Sequence, residues 1–550
     1  MIKPGVPLLS IHVSRQLQSG WVWAALIAAL LISLPLIIVF SNIFTEGGPT
    51  WQHIMYSLLP TYLINTTWLL LGVAALTFIM GVSTAWLVSM YKFPGRRFFS
   101  WALVLPISLP AYIGGFTWAG ILDYTSPVYV FARNHLGIHT GQSLFFDVLS
   151  LPGAVFIFSL ALYPYVFLIT RAYFNRQSSA LFEVAASLGK KPGQIFFQVA
   201  LPLARPAIVA GISLALMEVL NDYGLVRYFG VETFTTGIFT AWFAFSHPQS
   251  ALKLSAYLMI FVLALILLER FQRGQMRYDT LGSSYRPVKP TTLKSFHGLA
   301  AWIWCMIPLM LGFLIPVGML LYWSSLTAHQ VIDPRFVQLI GNSFLLSAMA
   351  SVAVGILALM IAFALRSFPS TLMKFLARTA TLGYALPGAV VAIGILIPFL
   401  WLDGYLASLN TGGLRIALTG TWLALVFAYV VRFMAVGYNS IDSGMERIPR
   451  SVDEASRSLG ASGLKTLANI QIPLLKGGII SAVLLVFIDV LKELPLTLIL
   501  RPFNFDTLAI RAFEFASDER IAEAAPAALI IVLVGLVPVA VLNRFMGKKD

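Results

Sequence analysis

EVAASLGKKPGQIFFQVALP, Glu183 to Pro202, and EASRSLGASGLKTLANIQIP, Glu454 to Pro473, are two copies of one pattern. Glu183 aligns with Glu454, Gly189 with Gly460 and Pro202 with Pro473, each 271 residues apart. Both copies are polar enough to sit in water, yet the chain around them is 58% hydrophobic and only 11% charged. Soluble domains carry about 25% charged residues. A mean hydropathy of +0.84 therefore reads as a polytopic membrane protein. A repeated, helical, water-facing loop in such a chain reads as two equivalent docking points for a soluble partner.

Runs of about 20 apolar residues can cross a bilayer as helices. Twelve lie near 22–41, 62–90, 99–122, 152–172, 205–226, 252–269, 299–324, 342–365, 379–402, 416–436, 477–498 and 524–543. With the N-terminus inside, 28 of the 37 Lys and Arg residues fall in inside segments. Positive residues favour the cytoplasmic side, so this count predicts cytoplasmic termini and places both repeated loops in the cytoplasm. It also accounts for the net charge of +14 without nucleic acid. The opening MIKPGVPLLSIHVSRQLQSG is too polar and too long to read as a cleaved signal peptide. A single cysteine, Cys305, excludes a disulfide framework and a multi-cysteine metal site.

The duplication extends beyond the loops. Ala215 to Asp222 aligns with Val486 to Glu493 at the same 271 offset, while Asn65 and Asn342, and Leu109-Pro110 and Leu386-Pro387, lie 277 apart. The expected fold is an all-α polytopic membrane protein with about twelve transmembrane helices in two tandem six-helix halves. Six spans is an even number, so both halves enter with one orientation and a pseudo-two-fold axis along the membrane normal relates them. The expected boundaries are a first half at 1–272, a cytoplasmic linker at 273–298 and a second half at 299–550. The loops lie at about 176–203 and 447–474. The basic stretch from Arg270 to Lys294, containing GSSYRPVKPTT, reads as flexible.

Within the second copy, Ser451 and Glu454 match a capping box, with Ala455 and Leu459 available for packing. Gly460 suits a left-handed helix end, and Ser462 is placed to cap a second short helix running to Pro473. The first copy has Gly189 as its break and Pro192 as a helix start, without the capping box, since Phe182 follows Ser179 by three. Two short helices joined at a glycine make a rigid knob. Its small Ala face fits a partner groove, with the Glu and Lys flanks at the rim. An ordinary interfacial elbow is the plain alternative, disfavoured because position, turn and proline recur in both halves.

These loops resemble the hallmark of the permeases of ATP-binding-cassette importers: E-A-A, three residues, G, nine residues, then I-x-L-P. The first copy reads Glu183-Val184-Ala185, Gly189, Val199-Ala200-Leu201-Pro202, and the second Glu454-Ala455-Ser456, Gly460, Ile470-Gln471-Ile472-Pro473. Departures at Val184, Ser456, Val199 and Ile472 stay small or apolar. The resemblance implies a type I importer fold in which Glu183, Ala185, Gly189, Pro202, Glu454, Ala455, Gly460 and Pro473 engage two copies of a cytoplasmic ATPase. It further implies a periplasmic substrate-binding protein, a bacterial inner-membrane location among lipid, and alternating access. Two fused halves most resemble iron(III) importer permeases, and the stretch NDYGLVRYFGVETFTTGIFTAWF, Asn221 to Phe243, makes iron the expected cargo. Thiamine, a polyamine or an inorganic anion are alternatives within the same class.

Four acids fall in or near spans: Glu218 and Asp222 in the fifth, Asp489 and Glu493 in the eleventh. A charge at a membrane helix centre costs about 2.5–3.5 kcal/mol. Spacing of i, i+4 places each pair on one helix face. Fe(III) suits oxygen ligands, so the four are expected to line a translocation path, with Glu218 and Asp489 touching the ion transiently. Internal pairing with Lys492 or Arg227 is the competing expectation.

No G-x-x-x-x-G-K-[ST] phosphate loop occurs. The expectation is therefore a transport subunit rather than an enzyme, with no cofactor of its own and with ATP and Mg used by the partner. No H-E-x-x-H pair occurs either. His53, His135, His139 and His247 read as outside-loop residues, Tyr223 and Tyr228 as belt residues, and the two Leu-Pro pairs as matched kinks. Two six-span halves and Gly95-Arg96-Arg97 also fit a major-facilitator carrier, but the upstream part of that motif is missing and the repeated loops have no role there.

Overall fold

The computed structural model of the chain describes residues 20–46, 48–136, 147–274, 290–409 and 417–546. His139 and most of the expected linker lie outside them. Among the described residues, eleven helices are long and apolar enough to cross a membrane. A twelfth span is broken: Arg96–Ser108 and Ala111–Ile121 meet at 92°. The break falls at Leu109-Pro110. A proline forces its predecessor out of the helical region, and Leu109 is extended (φ −98°, ψ 105°). Leu386, before Pro387, is extended likewise (φ −89°, ψ 134°). The matched kinks are thus matched breaks.

Two spans end earlier than the apolar runs suggest. Leu201–Asn221 and Ile472–Leu491 stop, and short helices Gly224–Tyr228 and Pro495–Leu500 follow. Asp222 and Glu493 sit in the turns between. The Asp222 carboxylate accepts from the Leu225 N–H at 2.8 Å, and that of Glu493 from the Leu496 N–H at 3.1 Å. Each acid therefore holds the start of a new helix, as a side-chain oxygen does at any helix N-terminus. The expectation that Glu218 and Asp222, or Asp489 and Glu493, share a helix face is incorrect, because the helix has ended before the second acid.

The chain packs as two compact units: residues 1–46 with 337–508, and residues 47–336 with 509–550. In the first unit, Gly20–Ser41 packs on Thr371–Ala380 and Gly388–Leu409. Its Trp21 meets Phe363 edge-on at 5.0 Å. In the second unit, Ile315–Val331 packs on Ile521–Met546 and Ala111–Ile121. Trp118 donates to the Leu311 carbonyl at 3.1 Å, and Thr327 to that of Ala522 at 2.9 Å. Gly20–Ser41 of the first sequence half thus packs with helices of the second, whereas Ile315–Val331 packs both with Ala111–Ile121 of the first half and with Ile521–Met546 of its own. Packing does not follow the 1–272 and 299–550 boundaries, although the sequence repeat does. Thr291–Thr292 pairs in parallel with Tyr91–Lys92, tying the end of the linker segment to the turn after the second span.

The repeat also recurs in contacts that sequence alignment alone does not display. Asn65 donates to the Glu232 carbonyl at 2.9 Å, and Asn342 to that of Asp506 at 3.3 Å. Next to them, Thr66 accepts from the Phe234 N–H and Ser343 from that of Leu508. In each unit one span start holds the loop that follows the short helix.

Candidate functional site

Both repeated loops fold to the same knob. The helices Ser179–Ser187 and Arg450–Ser458 end at Gly189 (φ 79°) and Gly460 (φ 78°), a conformation in which a side chain is strained. Lys190 N–H bonds back to the Ala185 carbonyl and Gly189 N–H to that of Ala186; Ala461 and Gly460 repeat this on Ser456 and Arg457. That is a paired helix-end motif, which satisfies carbonyls the helix leaves open. Pro192 starts the next helix in the first copy, and Ser462 caps it in the second, accepting from the Lys465 N–H.

The helices do not stop at the prolines. Pro192–Ile195 runs through a π-turn at Phe196–Ala200 into the Leu201–Asn221 span, and Gly463–Thr466 runs through Leu467–Gln471 into Ile472–Leu491. A π-turn shifts the hydrogen-bond ladder by one residue. Each therefore sits immediately before a span whose second residue, Pro202 or Pro473, has no N–H to give. The Ser451 capping box is absent: the helix starts at Arg450 behind Pro449, with no side-chain cap.

The knob's outer surface differs from the small Ala face expected. Ala185 and Ser456, the third residues of the triplets, turn inward and are buried. Glu183, Glu454 and Ala455 are exposed. Leu188 and Leu459, 271 apart and next to the glycines, are 74% and 87% exposed, so Leu459 is not a packing residue. Val184 and Leu464 are exposed as well. Leaving a Leu in water forgoes about 1.5–3 kcal/mol of burial, and the two leucines do so at matching positions of the two knobs. The repeat itself carried this signal.

The intramembrane acids divide by environment. Glu493 forms an ion pair with Arg432 at 3.1 Å, with both side chains under 10% exposed. Tyr429 and Thr497 share a hydrogen bond at 2.5 Å beside it. Arg432, on Trp422–Glu446, was not foreseen, and the first half has Ala161 at its place. Asp489 pairs with Lys492 at 2.8 Å, partly exposed. Glu218 and Asp222 are partly buried on their own unit. Tyr223 stacks on Phe239 at 3.6 Å. Among the described residues no group of three or more His, Cys, Asp or Glu is placed to hold a metal.

The model of the family described as "Binding-protein-dependent transport system inner membrane component" matches residues 77–277 and 352–549. The chain belongs to this family. Each matched segment holds one knob and one span break, so this permease carries the family unit twice and is a multi-pass inner-membrane transport subunit. It is 28% identical over 536 residues to "Fe(3+)-transport system permease protein FbpB 2" of Haemophilus influenzae, covering 96% of this chain and 99% of that one. It is 25% identical over 413 residues to "Ferric transport system permease protein FbpB" of Actinobacillus pleuropneumoniae, covering 70% and 56%. A third relative, "Probable sulfate transport system permease protein cysT" of Chlorokybus atmophyticus, is 28% identical over 221 residues, covering 40% and 73%.

Proposed function

We propose that this permease imports iron(III) from periplasm to cytoplasm, with its termini in the cytoplasm. A periplasmic binding protein delivers the ion, and two copies of an ATPase dock on the knobs. Supporting iron over an anion is one observation above others: the relative named for Fe(3+) transport aligns over nearly the whole of both chains, whereas the one named for sulfate aligns over 40% of this chain. ATP and Mg belong to the partner, since the sequence holds no phosphate loop.

On this reading, closure of the ATPases moves the knobs, and the knobs rock the two halves between access states. Glu218 and Asp489 are the acids that meet the ion. The Asp489–Lys492 pair is only partly buried, which leaves its carboxylate within reach of an incoming cation that would displace the ammonium. Breaking the buried Glu493–Arg432 pair costs about 3–5 kcal/mol, which assigns Glu493, with Asp222, to holding the span breaks. The test is ATP-driven uptake of radioactive iron by proteoliposomes supplied with iron-loaded binding protein. Glu218→Gln with Asp489→Asn lowers uptake while the ATPase still co-purifies; unchanged iron uptake in that variant refutes the assignment of the acids. Uptake driven only by an anion-loaded binding protein refutes the substrate.

A further inference from the structure

The two knobs are fastened to their own spans by different chemistry. In the second half, Arg366 lies in the last turn of Pro334–Ser367. Its Nε meets Asp453 Oδ2 at 2.5 Å, Nη1 donates to the Met445 carbonyl at 2.6 Å, and Nη2 to those of Ile448 at 2.9 Å and Pro449 at 3.2 Å. One guanidinium thus holds the end of Trp422–Glu446, the turn after it and the knob helix Arg450–Ser458. The other oxygen of Asp453 accepts from Gln471 Nε2 at 2.8 Å, which adds the π-turn leading into the next span. Asp453 and Gln471 are 9% and 2% exposed.

In the first half the corresponding places hold no charge. Phe182 stands at the position of Asp453 and Ala200 at that of Gln471, both 271 earlier, and Ser89 at that of Arg366, 277 earlier. One turn before Ser89, Trp86 does the joining. Its ring meets Phe174 at 5.3 Å, Phe182 at 6.0 Å and Phe196 at 5.1 Å. These three lie on the preceding span, the knob helix and the π-turn, the elements that Arg366 and Asp453 gather between them in the second half. Aromatic pairs at such distances add about 0.5–1.5 kcal/mol each beyond burial, and an Arg bound through three nitrogens is directional where a ring cluster is not.

We propose that Arg366 and Trp86 are the positioning residues that make each knob one body with the span beside it, the second joint ionic and the first aromatic. The proposal rests on the reading of the knobs as ATPase docking points. Its consequence is that the second joint alone depends on a charged donor. Arg366→Met leaves Asp453 buried with only the neutral Gln471 amide to meet it and takes the donor from the carbonyls of Met445, Ile448 and Pro449, a costly loss, whereas Arg366→Lys keeps a positive donor there.

The single cysteine, Cys305, is buried, so spin labels can be placed on Ser458→Cys and Ile356→Cys, both exposed and both on the first unit. The labelled permease is measured by double electron–electron resonance, alone and with its ATPase, with and without ATP. With Arg366 present the distance distribution is narrow and the same in every state. Arg366→Met broadens it without ATPase and shifts it when ATP is added, while the ATPase still co-purifies and the substrate moved per ATP falls by about tenfold. Arg366→Lys gives a distribution narrower than that of Arg366→Met. A distribution in Arg366→Met that overlays the unsubstituted one in all states overturns the proposal, as does an Arg366→Lys distribution as broad as that of Arg366→Met. If no ATPase is retained by the unsubstituted chain, the docking reading fails, and the ATPase-free comparison still decides the joint.

Discussion

Gly388→Ala tests the buried pair of the second half most sharply. A Cβ at Gly388 would lie 2.1 Å from Arg432 Nη1 and 2.7 Å from Glu493 Oε1. Carbon–nitrogen contacts settle near 3.5–4.0 Å, so the guanidinium must retreat by about 1.5 Å. From the 3.1 Å separation of the pair, that takes the charges to about 4.6 Å. At an effective dielectric of about 20 the attraction falls from roughly 5.4 to 3.6 kcal/mol. Loss of the charged hydrogen bond, worth about 1.5–3 kcal/mol, overlaps this, and the variant should be destabilised by about 2–4 kcal/mol. Nη1 already has no hydrogen-bond partner among the described residues, so no second partner absorbs the shift. The assay is equilibrium unfolding in mixed detergent micelles, repeated in an Arg432→Met/Glu493→Leu background where the methyl meets no charge. Gly388→Ala should be nearly neutral there. An equal cost in both backgrounds would refute the argument and place the strain in the helix start itself.

Other expectations follow from the knobs and breaks. Leu188→Asp and Leu459→Asp should each weaken ATPase binding by about 1.5–3 kcal/mol, read by titrating ATPase onto immobilised permease, with folding unchanged because both side chains are exposed. Gly460→Ala meets nothing within 4 Å but holds φ 78°. Its cost is backbone strain of about 1–2 kcal/mol, and Gly460→Asn should cost less; equal binding losses for the two would count against the left-handed turn as the cause. Asp222→Ala should lose about 1 kcal/mol of unfolding stability while Asp222→Asn keeps most of it, because an amide oxygen also accepts from Leu225 N–H.

The span pattern, the repeat and the glycine hinges were legible because they rest on composition and on residue types with few roles. The span ends at Asn221 and Leu491 were not, since the apolar run continues through the turn and only the carboxylates of Asp222 and Glu493 mark it. Reading i, i+4 spacing as one face assumed a helix that had already ended. Arg432 and Arg366 were counted as ordinary positive charges; their partners lie 61 and 87 positions away in sequence, a distance no local pattern spans. Ala185 was read as surface because the triplet is a hallmark, yet a nine-residue helix buries one side, and the third residue faces it.

The packing of Gly20–Ser41 on helices of the second half has a bearing on biogenesis. Gly20–Ser41 leaves the ribosome first, but Thr371–Ala380 and Gly388–Leu409, against which it packs, are made more than 300 residues later. At about 5–20 residues per second the first helix waits roughly 15–70 seconds in the bilayer before its neighbours exist. Its waiting face carries Ala25, Ala28, Ala29 and Ser33, small residues that lipid covers without penalty and that let a late helix approach closely. Fusion of the two halves into one chain keeps that early helix within reach of its late partner, so quality control of a truncated product would begin with an orphaned first span.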